Sequence, residues 1–356
     1  MTRVRGRLSL SLSLSLSLDV ARGIVFIHMF EDIISFENLC NAWREFVRGK
    51  KLKKDVTDFS LDLSGNLFAL HDDLKNKSYQ HGAYQAFNIS DPKPRSIHKA
   101  SVRDRLLHHA IYRKLYPFFD RVFVADSFSC RLDKGTHRAI NRLREFKYKV
   151  GKNNTRTVWV LKCDIRKFFE NIDHEILLDI LKSYISDEKV IWLLHEVIKS
   201  FYSKRPGVGL PLGNLTSQLL VNIYMNEFDR FIKHNLKIKY YVRYADDFVF
   251  LSEDREWLVN LLPKIKKFLN ERLKLELHPD KVFIKTLASG VDFLGWVNFT
   301  NHRVLRTATK RRMLKKLASK NDDSTLSSYL GLLSHGNTHK LREKILKFSP
   351  ANKASI

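Results

Sequence analysis

Residues 240–251 read YYVRYADDFVFL, and this stretch decides the fold of the chain. Apolar and aromatic residues flank the pair Asp246-Asp247 on both sides, which predicts two β-strands joined by a tight turn. Two adjacent carboxylates in the turn of an apolar hairpin are costly unless a positive charge neutralises them. An Asp-Asp pair in an exposed turn would be ordinary, so the pair taken alone leaves both interpretations open.

A third aspartate, Asp164, stands in an equivalent setting. It follows the apolar run 158–163, which contains one lysine and predicts a buried strand. Carboxylates at neighbouring strand ends suit Mg²⁺, which combines a few protein oxygens with substrate phosphates. Two such ions about 3.5–4 Å apart can activate an attacking 3′-oxygen and stabilise a departing pyrophosphate. The three aspartates therefore predict a two-metal site for phosphoryl transfer.

The charge of the chain points to a polyanionic partner. Its 356 residues include 63 Lys and Arg against 38 Asp and Glu, a net charge of +25. Each cation that meets a phosphate releases condensed counterions, so this excess favours nucleic acid. A basic soluble protein and a membrane-surface binder are the alternatives. Aromatic residues interleaved with the basic residues favour nucleic acid over both.

The remaining pattern predicts helices and strands in separate segments, and hence an α+β fold. Apolar spacing predicts a helix over 101–116 that Pro117 stops, a long helix over 215–234 and a single strand over 293–299. No segment reaches about 18 uninterrupted apolar residues, so no membrane span is expected.

The N-terminal stretch 1–28 is predicted to be a disordered, low-complexity leader. Ser and Leu alternate from residue 8 to residue 18, which is too polar for the apolar core of a signal peptide. Met29 is then the expected natural start of the protein.

The three cysteines are predicted to be reduced, small core residues of a cytoplasmic protein. Cys40, Cys130 and Cys163 lie far apart and form no C-x-x-C pair. This spacing favours neither a disulfide framework nor a zinc site.

Five motifs resemble those of bacterial reverse transcriptases, which are RNA-directed DNA polymerases, and they follow the same order along residues 36–345. They are DIRKFF at 164–169, like the first catalytic box; GLPLGNLTSQ at 209–218, like a box that usually reads Q-G-x-x-x-S-P; YADD at 244–247, like the Y-x-D-D box; HPDK at 278–281, like a lysine-bearing loop; and FLGW at 293–296, like the primer grip. The resemblance implies a right-hand polymerase with fingers, a palm of antiparallel sheet plus helices, and a helical thumb. The expected boundaries are 29–155 for the N-terminal helices and fingers, 156–300 for the palm and 301–356 for a basic thumb.

The resemblance also implies residue roles. Catalysis would involve Asp164, Asp246, Asp247 and Lys281; metal ligation Asp164, Ile165, Asp246 and Asp247; nucleotide binding Lys93, Arg95, Phe169, Leu212, Gly213 and Gln218; the primer grip Phe293, Leu294, Gly295 and Trp296; and a nucleic-acid track Arg306, Lys310, Arg311, Arg312, Lys315 and Lys316. Two Mg²⁺ ions, with Mn²⁺ as a substitute, are the implied cofactors. Phe169 matches a steric gate that excludes a 2′-hydroxyl, and Lys281 matches a lysine that protonates pyrophosphate. The implied partners are template RNA, a primer or cDNA, and dNTPs, with no membrane.

The second box departs from the usual pattern. Leu212 stands where a glutamine normally contacts the incoming nucleotide, and Gln218 replaces a proline. Loss of a directional hydrogen bond of about 1 kcal/mol predicts weaker base discrimination, and hence low fidelity.

The S-Q ending of that box, with RDRLLHH at 103–109 and GTH at 135–137, resembles the reverse transcriptases of diversity-generating retroelements. Those enzymes copy a template RNA with adenine-specific errors, helped by a small basic accessory protein. Unknown-group enzymes of antiphage defence share these features, and a retron or group II-like enzyme is a further alternative. A group II maturase is less favoured, because the chain ends soon after the expected thumb.

Two competing classes stay open on the sequence. One is an RNA-dependent RNA polymerase with the same palm, which the phenylalanine at 169 opposes. The other is a catalytically inactive RNA-binding palm protein, which the intact aspartates oppose.

Overall fold

The computed structural model of the protein describes residues 26, 28–90, 94–319 and 322–346. In chain order the helices are α1 (Phe30–Ile34), α2 (Phe36–Phe46), α3 (Lys54–Leu61), α4 (Leu63–Lys75), α5 (Val102–Val122), α6 (Thr136–Val150), α7 (His174–Tyr184), α8 (Glu188–Lys199), α9 (Leu215–Arg230), α10 (Arg255–Leu273), α11 (Thr307–Ser319), α12 (Asp323–Leu333) and α13 (His339–Leu346). The strands are β1 (Gln85–Ile89), β2 (Arg95–Lys99), β3 (Trp159–Asp164), β4 (Tyr241–Tyr244), β5 (Asp247–Ser252), β6 (Phe283–Thr286), β7 (Val291–Phe293), β8 (Trp296–Asn298) and β9 (Arg303–Leu305). Helices and antiparallel sheets in separate segments confirm the expected α+β class.

The chain folds into two units that each draw on three separate segments. The first unit comprises 1–124, 167–231 and 268–275, and the second comprises 125–166, 232–267 and 276–356, within the limits of the described residues. The hairpin of β1 and β2 belongs to the first unit. The second unit holds a sheet of order β4-β5-β3-β6 and a separate sheet of order β7-β8-β9.

Helix α5 in the first unit corrects one prediction from the sequence. Ser101 caps its N-terminus, since the side chain accepts a hydrogen bond from the backbone N–H of Asp104. Pro117 lies inside the helix, although it was expected to stop it. Proline removes one backbone hydrogen bond. Burial of Phe118 and Phe119 on the following turn keeps the chain helical.

The expected leader lies outside the described residues except for Phe26 and His28. Phe26 is buried, its ring meets Phe118 edge-on with centroids 5.5 Å apart, and its N–H donates to the carbonyl of Tyr184 over 3.0 Å. Phe26 is therefore packed into the first unit, and the predicted boundary of the leader at residue 28 stays a prediction.

The main sheet of the second unit is hydrophobic on both faces along its central strand. Neighbouring residues of a strand point to opposite faces, and Val160 and Leu161 of β3 are both fully buried. The face of Val160 packs on α6 through Leu143 and Phe146. This burial fixes the register of β3, since a shift by one residue would turn its apolar set to the wrong face.

The predicted single strand over 293–299 is instead a tight hairpin of β7 and β8. Phe293 pairs with Trp296, so Leu294 and Gly295 form a two-residue turn with φ of 53° and 84°. Two positive φ values match the type I′ turn, whose twist suits an antiparallel hairpin.

The C-terminal helices of the second unit have a core of their own. Trp296 and Leu305 pack there with Met313, Leu317 and Leu333. Gly336 follows α12, and a Cβ at that position would overlap the indole ring of Trp296. The loop after α12 thus approaches the tryptophan more closely than any side chain would allow.

The structure also bears on the expectations about cysteines and membrane spans. Cys163 is buried and Cys40 is partly buried, but Cys130 is exposed, so the assignment of all three to the core was wrong for Cys130. Of the helices in the described ranges, none combines the length and apolar character that a bilayer span requires.

We expect Gly336→Ala to lower the free energy of unfolding by about 1–3 kcal/mol, because the added methyl must displace the Trp296 ring. Gly331→Ala is the matched control, since open space surrounds Gly331 within α12. Alanine in a helix interior is favoured over glycine by about 1 kcal/mol, so the control is expected to be neutral or stabilising. Chemical denaturation of both variants measures the difference, and equal stabilities would contradict the packing described here.

Candidate active site

The three aspartates meet at one end of the main sheet. Asp164 at the end of β3 is the register partner of Asp247 at the start of β5, and Asp247 also pairs with Tyr244 of β4. Ala245 and Asp246 therefore form the two-residue turn, whereas the sequence placed both Asp246 and Asp247 in it; Asp247 is instead the first residue of β5. Sheet pairing thus brings Asp164 and Asp247, 83 positions apart, into direct opposition.

A buried arginine supports this turn. Arg243 is fully buried, and its Nη1 donates to the carbonyl of Ala245 over 3.0 Å while Nη2 donates to Ser127 Oγ over 2.9 Å. Ala245 has φ of 55°, a conformation that costs energy for a residue with a side chain. The hydrogen bond from Arg243 to Ala245 helps to hold that conformation.

The backbone around Asp164 is fixed by its neighbours on both sides. The N–H of Ile165 donates to the carbonyl of Asp246 over 3.2 Å, and the N–H of His278 donates to the carbonyl of Asp164 over 2.8 Å. Leu277 forms an isolated antiparallel bridge with Ile165. The aspartates are thus attached to paired backbone, which limits the reorganisation that catalysis would require.

Two lysines neutralise the carboxylates. Lys281 Nζ lies 2.8 Å from Asp164 Oδ1, which places the predicted catalytic lysine at the aspartates. Lys162 Nζ lies 3.3 Å from Asp247 Oδ2 and was missed as a site residue. The available signal was the single lysine of the apolar run, two positions before Asp164 and hence on the same strand face.

Asp247 carries the strongest sign of an unsatisfied charge. Burial raises the pKa of its carboxyl to about 7, and Asp246 and Asp164 add to the rise while Lys162 opposes it. Its Oδ1 is buried without a hydrogen-bond partner among the described residues. A divalent cation at this oxygen would supply the missing partner and favour the ionised carboxylate.

The oxygen donors at this site fit a divalent metal ion that takes its other ligands from substrate and water. Asp164, Asp246 and Asp247, with the carbonyl of Ile165, offer hard oxygens of the kind that Mg²⁺ prefers. Within the described residues no group of three or more acidic, histidine or cysteine side chains is arranged to hold a metal ion by itself. An open arrangement is expected where substrate phosphates and water supply the remaining ligands.

The predicted nucleotide-binding residues that the structure describes all belong to the first unit, and Lys93 lies outside the described residues. They are Arg95, Phe169, Leu212, Gly213 and Gln218. Leu212 accepts a backbone hydrogen bond from the N–H of His98 over 3.0 Å, and Phe169 accepts one from Leu210 over 2.8 Å. Gly213 has φ of 103°, and a Cβ there would press on Ile97. Phe169 is half-buried, whereas Phe168 is buried, as expected of a core residue.

The predicted primer grip divides into two parts. Phe293 and Trp296 are fully buried, so their side chains support the second unit from within. Leu294 and Gly295 form the partly exposed turn between them. Contact with a primer can therefore come from the turn but not from the two large rings.

The basic run on and before α11 has an exposed side and a buried side. Met313 and Leu317 are buried four positions apart, which places them on one helix face. Lys310, Arg311, Lys315 and Lys316 are exposed, and Arg312 is half-buried. Arg306 precedes the helix and pairs with Asp292, with 2.9 Å between Nε and Oδ2. Most of the predicted track is thus open to a polyanion, but Arg306 already has an acidic partner.

Comparisons with known proteins relate the chain to one family. The family model described as reverse transcriptase (RNA-dependent DNA polymerase) matches residues 89–297, more than half of the chain. Protein YkfC of Escherichia coli is 26% identical over 287 residues, which cover 70% of this chain and 73% of YkfC. The group II intron-encoded protein LtrA of Lactococcus lactis is 26% identical over 291 residues, which cover 62% of this chain and 46% of LtrA. The chain therefore spans less than half the length of LtrA.

A solved structure of apo telomerase from Candida tropicalis has a similar fold. The TM-score is 0.50 at 13% identity, covering 66% of this chain and 49% of the telomerase chain. At this identity the likeness concerns the fold alone, and it supports the expected right-hand polymerase architecture.

We expect millimolar MgCl₂ to raise the melting temperature of the wild-type protein by several degrees relative to EDTA, since a cation bound only by the folded state stabilises it. The double variant Asp164→Asn/Asp246→Asn should lose this rise. Asp179→Asn is the control, because it removes an exposed carboxylate of α7 and should leave the rise intact. Differential scanning fluorimetry measures all three, and an equal rise in the double variant would contradict metal binding at the aspartates.

Proposed function

The chain belongs to the reverse transcriptase (RNA-dependent DNA polymerase) family, and from that premise we propose that it extends a primer 3′-end with dNTPs on an RNA template. The observation that carries the proposal is the sheet pairing that opposes Asp164 to Asp247 beside the turn at Asp246. A buried, incompletely neutralised carboxylate at the end of a rigid sheet suits a reaction whose catalysis is positioning and charge neutralisation.

The proposed mechanism assigns a task to each residue at the site. Two Mg²⁺ ions bound there would activate the 3′-oxygen and neutralise the charge of the departing pyrophosphate. Asp164 and Asp246 would hold both ions, with Asp247 and the carbonyl of Ile165 in support. Lys281, now 2.8 Å from Asp164, would release this carboxylate and donate a proton to the pyrophosphate.

Lys162 has a different task in the proposed mechanism. Its side chain is mostly buried against Asp247. A fixed cation there favours the ionised form of a carboxyl whose pKa is raised by burial. Lys162 would thus keep Asp247 negative before the metal and substrate arrive.

The proposed substrates are dNTPs and an RNA strand. Phe169, which is half-buried and accepts a backbone hydrogen bond from Leu210, would act as a steric gate against a 2′-hydroxyl. The exposed cations of α11 support binding of a nucleic-acid backbone, because each phosphate contact releases counterions.

The proposed biological role is error-prone copying of a template RNA in a diversity-generating retroelement. Its support is Leu212 and Gln218 in the second box, together with the motifs at 103–109 and 135–137. A small basic accessory protein is part of this proposal. Antiphage defence is a programme that the same motifs allow.

A group II-like role is a second candidate, favoured by one observation. LtrA, a group II intron-encoded protein, is 26% identical to this chain over 291 residues. The genomic neighbourhood separates the candidates, since a template repeat with its variable copy indicates diversity generation and flanking intron RNA indicates the group II role.

We expect Asp246→Asn to abolish primer extension while leaving the melting temperature in EDTA within a few degrees of the wild type. The change removes one oxygen ligand at a partly exposed turn and keeps the side-chain volume. Extension of a labelled DNA primer on an RNA template measures the activity, with dNTPs and NTPs in parallel. Persistent extension by the variant would refute the assigned catalytic role, and a preference of the wild type for NTPs would favour an RNA polymerase.

Leu212→Gln is expected to lower the misincorporation frequency several-fold, because an amide restores a hydrogen bond of about 1 kcal/mol. Sequencing of cDNA made on one RNA template by both proteins measures the frequency. Leu212→Met is the control, since it changes the side chain without adding an amide. An unchanged error frequency in Leu212→Gln would show that residue 212 does not determine base discrimination.

A further inference from the structure

A cavity in the second unit lies outside the carboxylate site. Its volume is about 430 Å³, within the usual range for small-molecule sites. Helix α6, the loop between β8 and β9, and the loop after α12 supply most of its wall. Its lining residues include Asn141, Arg144, Lys147, Tyr148, Arg303 and His335.

The cavity is lined by cations without a carboxylate among its described lining residues. Lys147 lines the cavity and is buried, and its Nζ donates to the carbonyls of Phe299 and Thr300 over 3.2 and 2.6 Å. An ammonium has three donors, so these two hydrogen bonds leave one N–H for a ligand, and the Nζ also lies 4.8 Å from the centre of the Tyr148 ring. Burial, with repulsion from Arg144 and Arg303, lowers the pKa of Lys147 to about 8. Three cations held together without an anion make a site that an anion would stabilise.

Unpartnered polar atoms also gather at this cavity. Arg303 Nη1 and Asn141 Oδ1 are buried without a hydrogen-bond partner among the described residues. His137 Nδ1 is also buried without a partner among the described residues; His137 does not line the cavity, but its ring stacks on the ring of the lining residue His335 with centroids 3.6 Å apart. Buried polar groups are nearly always satisfied, so their clustering at one opening points to a bound polar ligand.

The walls of the cavity are held by specific contacts. Arg303 Nε donates to the carbonyl of His335, and the N–H of Asn337 donates to the carbonyl of Arg303 over 2.9 Å. Gly336 packs against Trp296 where no side chain fits. The guanidinium of Arg303 is thereby held through Nε, while its Nη1 has no hydrogen-bond partner among the described residues.

We propose that this cavity binds a phosphate monoester carried by a nucleotide. Guanidinium groups at Arg144 and Arg303 match the oxygens of a terminal phosphate, and the ammonium of Lys147 adds a point charge. Tyr148 and His302 add aromatic rings to the lining, and a base would pack against the face of His302 that is not stacked on Phe299. The free volume accommodates more than an inorganic anion.

Two sources share this chemistry, a free nucleoside monophosphate and the 5′-phosphate end of an RNA strand. The test uses the full chain in EDTA, so that no phosphate is held through metal at the aspartates. Its probes are inorganic phosphate, AMP, and one RNA oligonucleotide with either a 5′-phosphate or a 5′-hydroxyl. Isothermal titration calorimetry measures the small probes, and fluorescence anisotropy measures the two oligonucleotides.

The expected result is tighter binding of the 5′-phosphorylated oligonucleotide than of the 5′-hydroxyl form, or saturable binding of AMP. Arg144→Gln should weaken that binding about tenfold, the effect of losing a charge-assisted hydrogen bond. Arg144 is exposed at the opening, so its removal should leave the fold intact. Lys149→Gln, an equal change of charge on an exposed residue of the same helix, should leave the binding within about twofold.

The outcomes assign the source or reject the site. Competition by AMP against the phosphorylated oligonucleotide would identify a nucleotide site, and preference for the phosphorylated oligonucleotide without AMP binding would identify an RNA-end site. Equal affinity for the two oligonucleotides, with no binding of AMP or phosphate, overturns the proposal. Equal losses in Arg144→Gln and Lys149→Gln overturn it too, because general charge would then explain the binding.

Discussion

The pairing of β3 with β5 is the constraint on which the rest of the second unit depends. It opposes Asp164 to Asp247 at one sheet end, where burial makes negative charge costly. Lys162 and Lys281 offset that cost only in part, since Asp247 Oδ1 keeps no hydrogen-bond partner among the described residues. The fold thus holds an incompletely neutralised carboxylate at a fixed position. A divalent cation bound there would neutralise its charge.

The surrounding structure serves to keep that position fixed. Val160 and Leu161 anchor β3 through both faces of the sheet, so the strand cannot slip without exposing apolar surface. Arg243 holds the turn at Ala245, whose backbone is strained. The hydrogen bonds of Ile165 and His278 secure the chain beyond Asp164. Rigid scaffolding around a few charged groups is typical of sites that work by electrostatic preorganisation.

The second unit separates two kinds of positive charge. Exposed cations on α11 face solvent and suit a nucleic-acid backbone that is read without sequence preference. Arg144, Lys147 and Arg303 instead converge on one cavity, where a fixed guanidinium and a buried ammonium favour a single phosphate group. The total charge of the chain is +25, but its distribution decides whether a polyanion or a small anion is bound.

The sequence by itself determined the three aspartates, the hairpin that carries two of them, the α+β class and the order of the motifs. These features depend on local patterns, since alternating or continuous apolar residues specify strands and the break between them indicates a turn, although not its exact residues. Tertiary structure decided what local pattern cannot encode. Pro117 stays inside α5 because the aromatic residues after it are buried, and Phe293 and Trp296 are core residues because their hairpin turns at Leu294 and Gly295. The pairing of Lys162 with Asp247, and the convergence of Lys147 and Arg303 on one cavity, join residues 85 and 156 positions apart. Contacts of that range are selected by the packing of the whole unit, which no window of sequence contains.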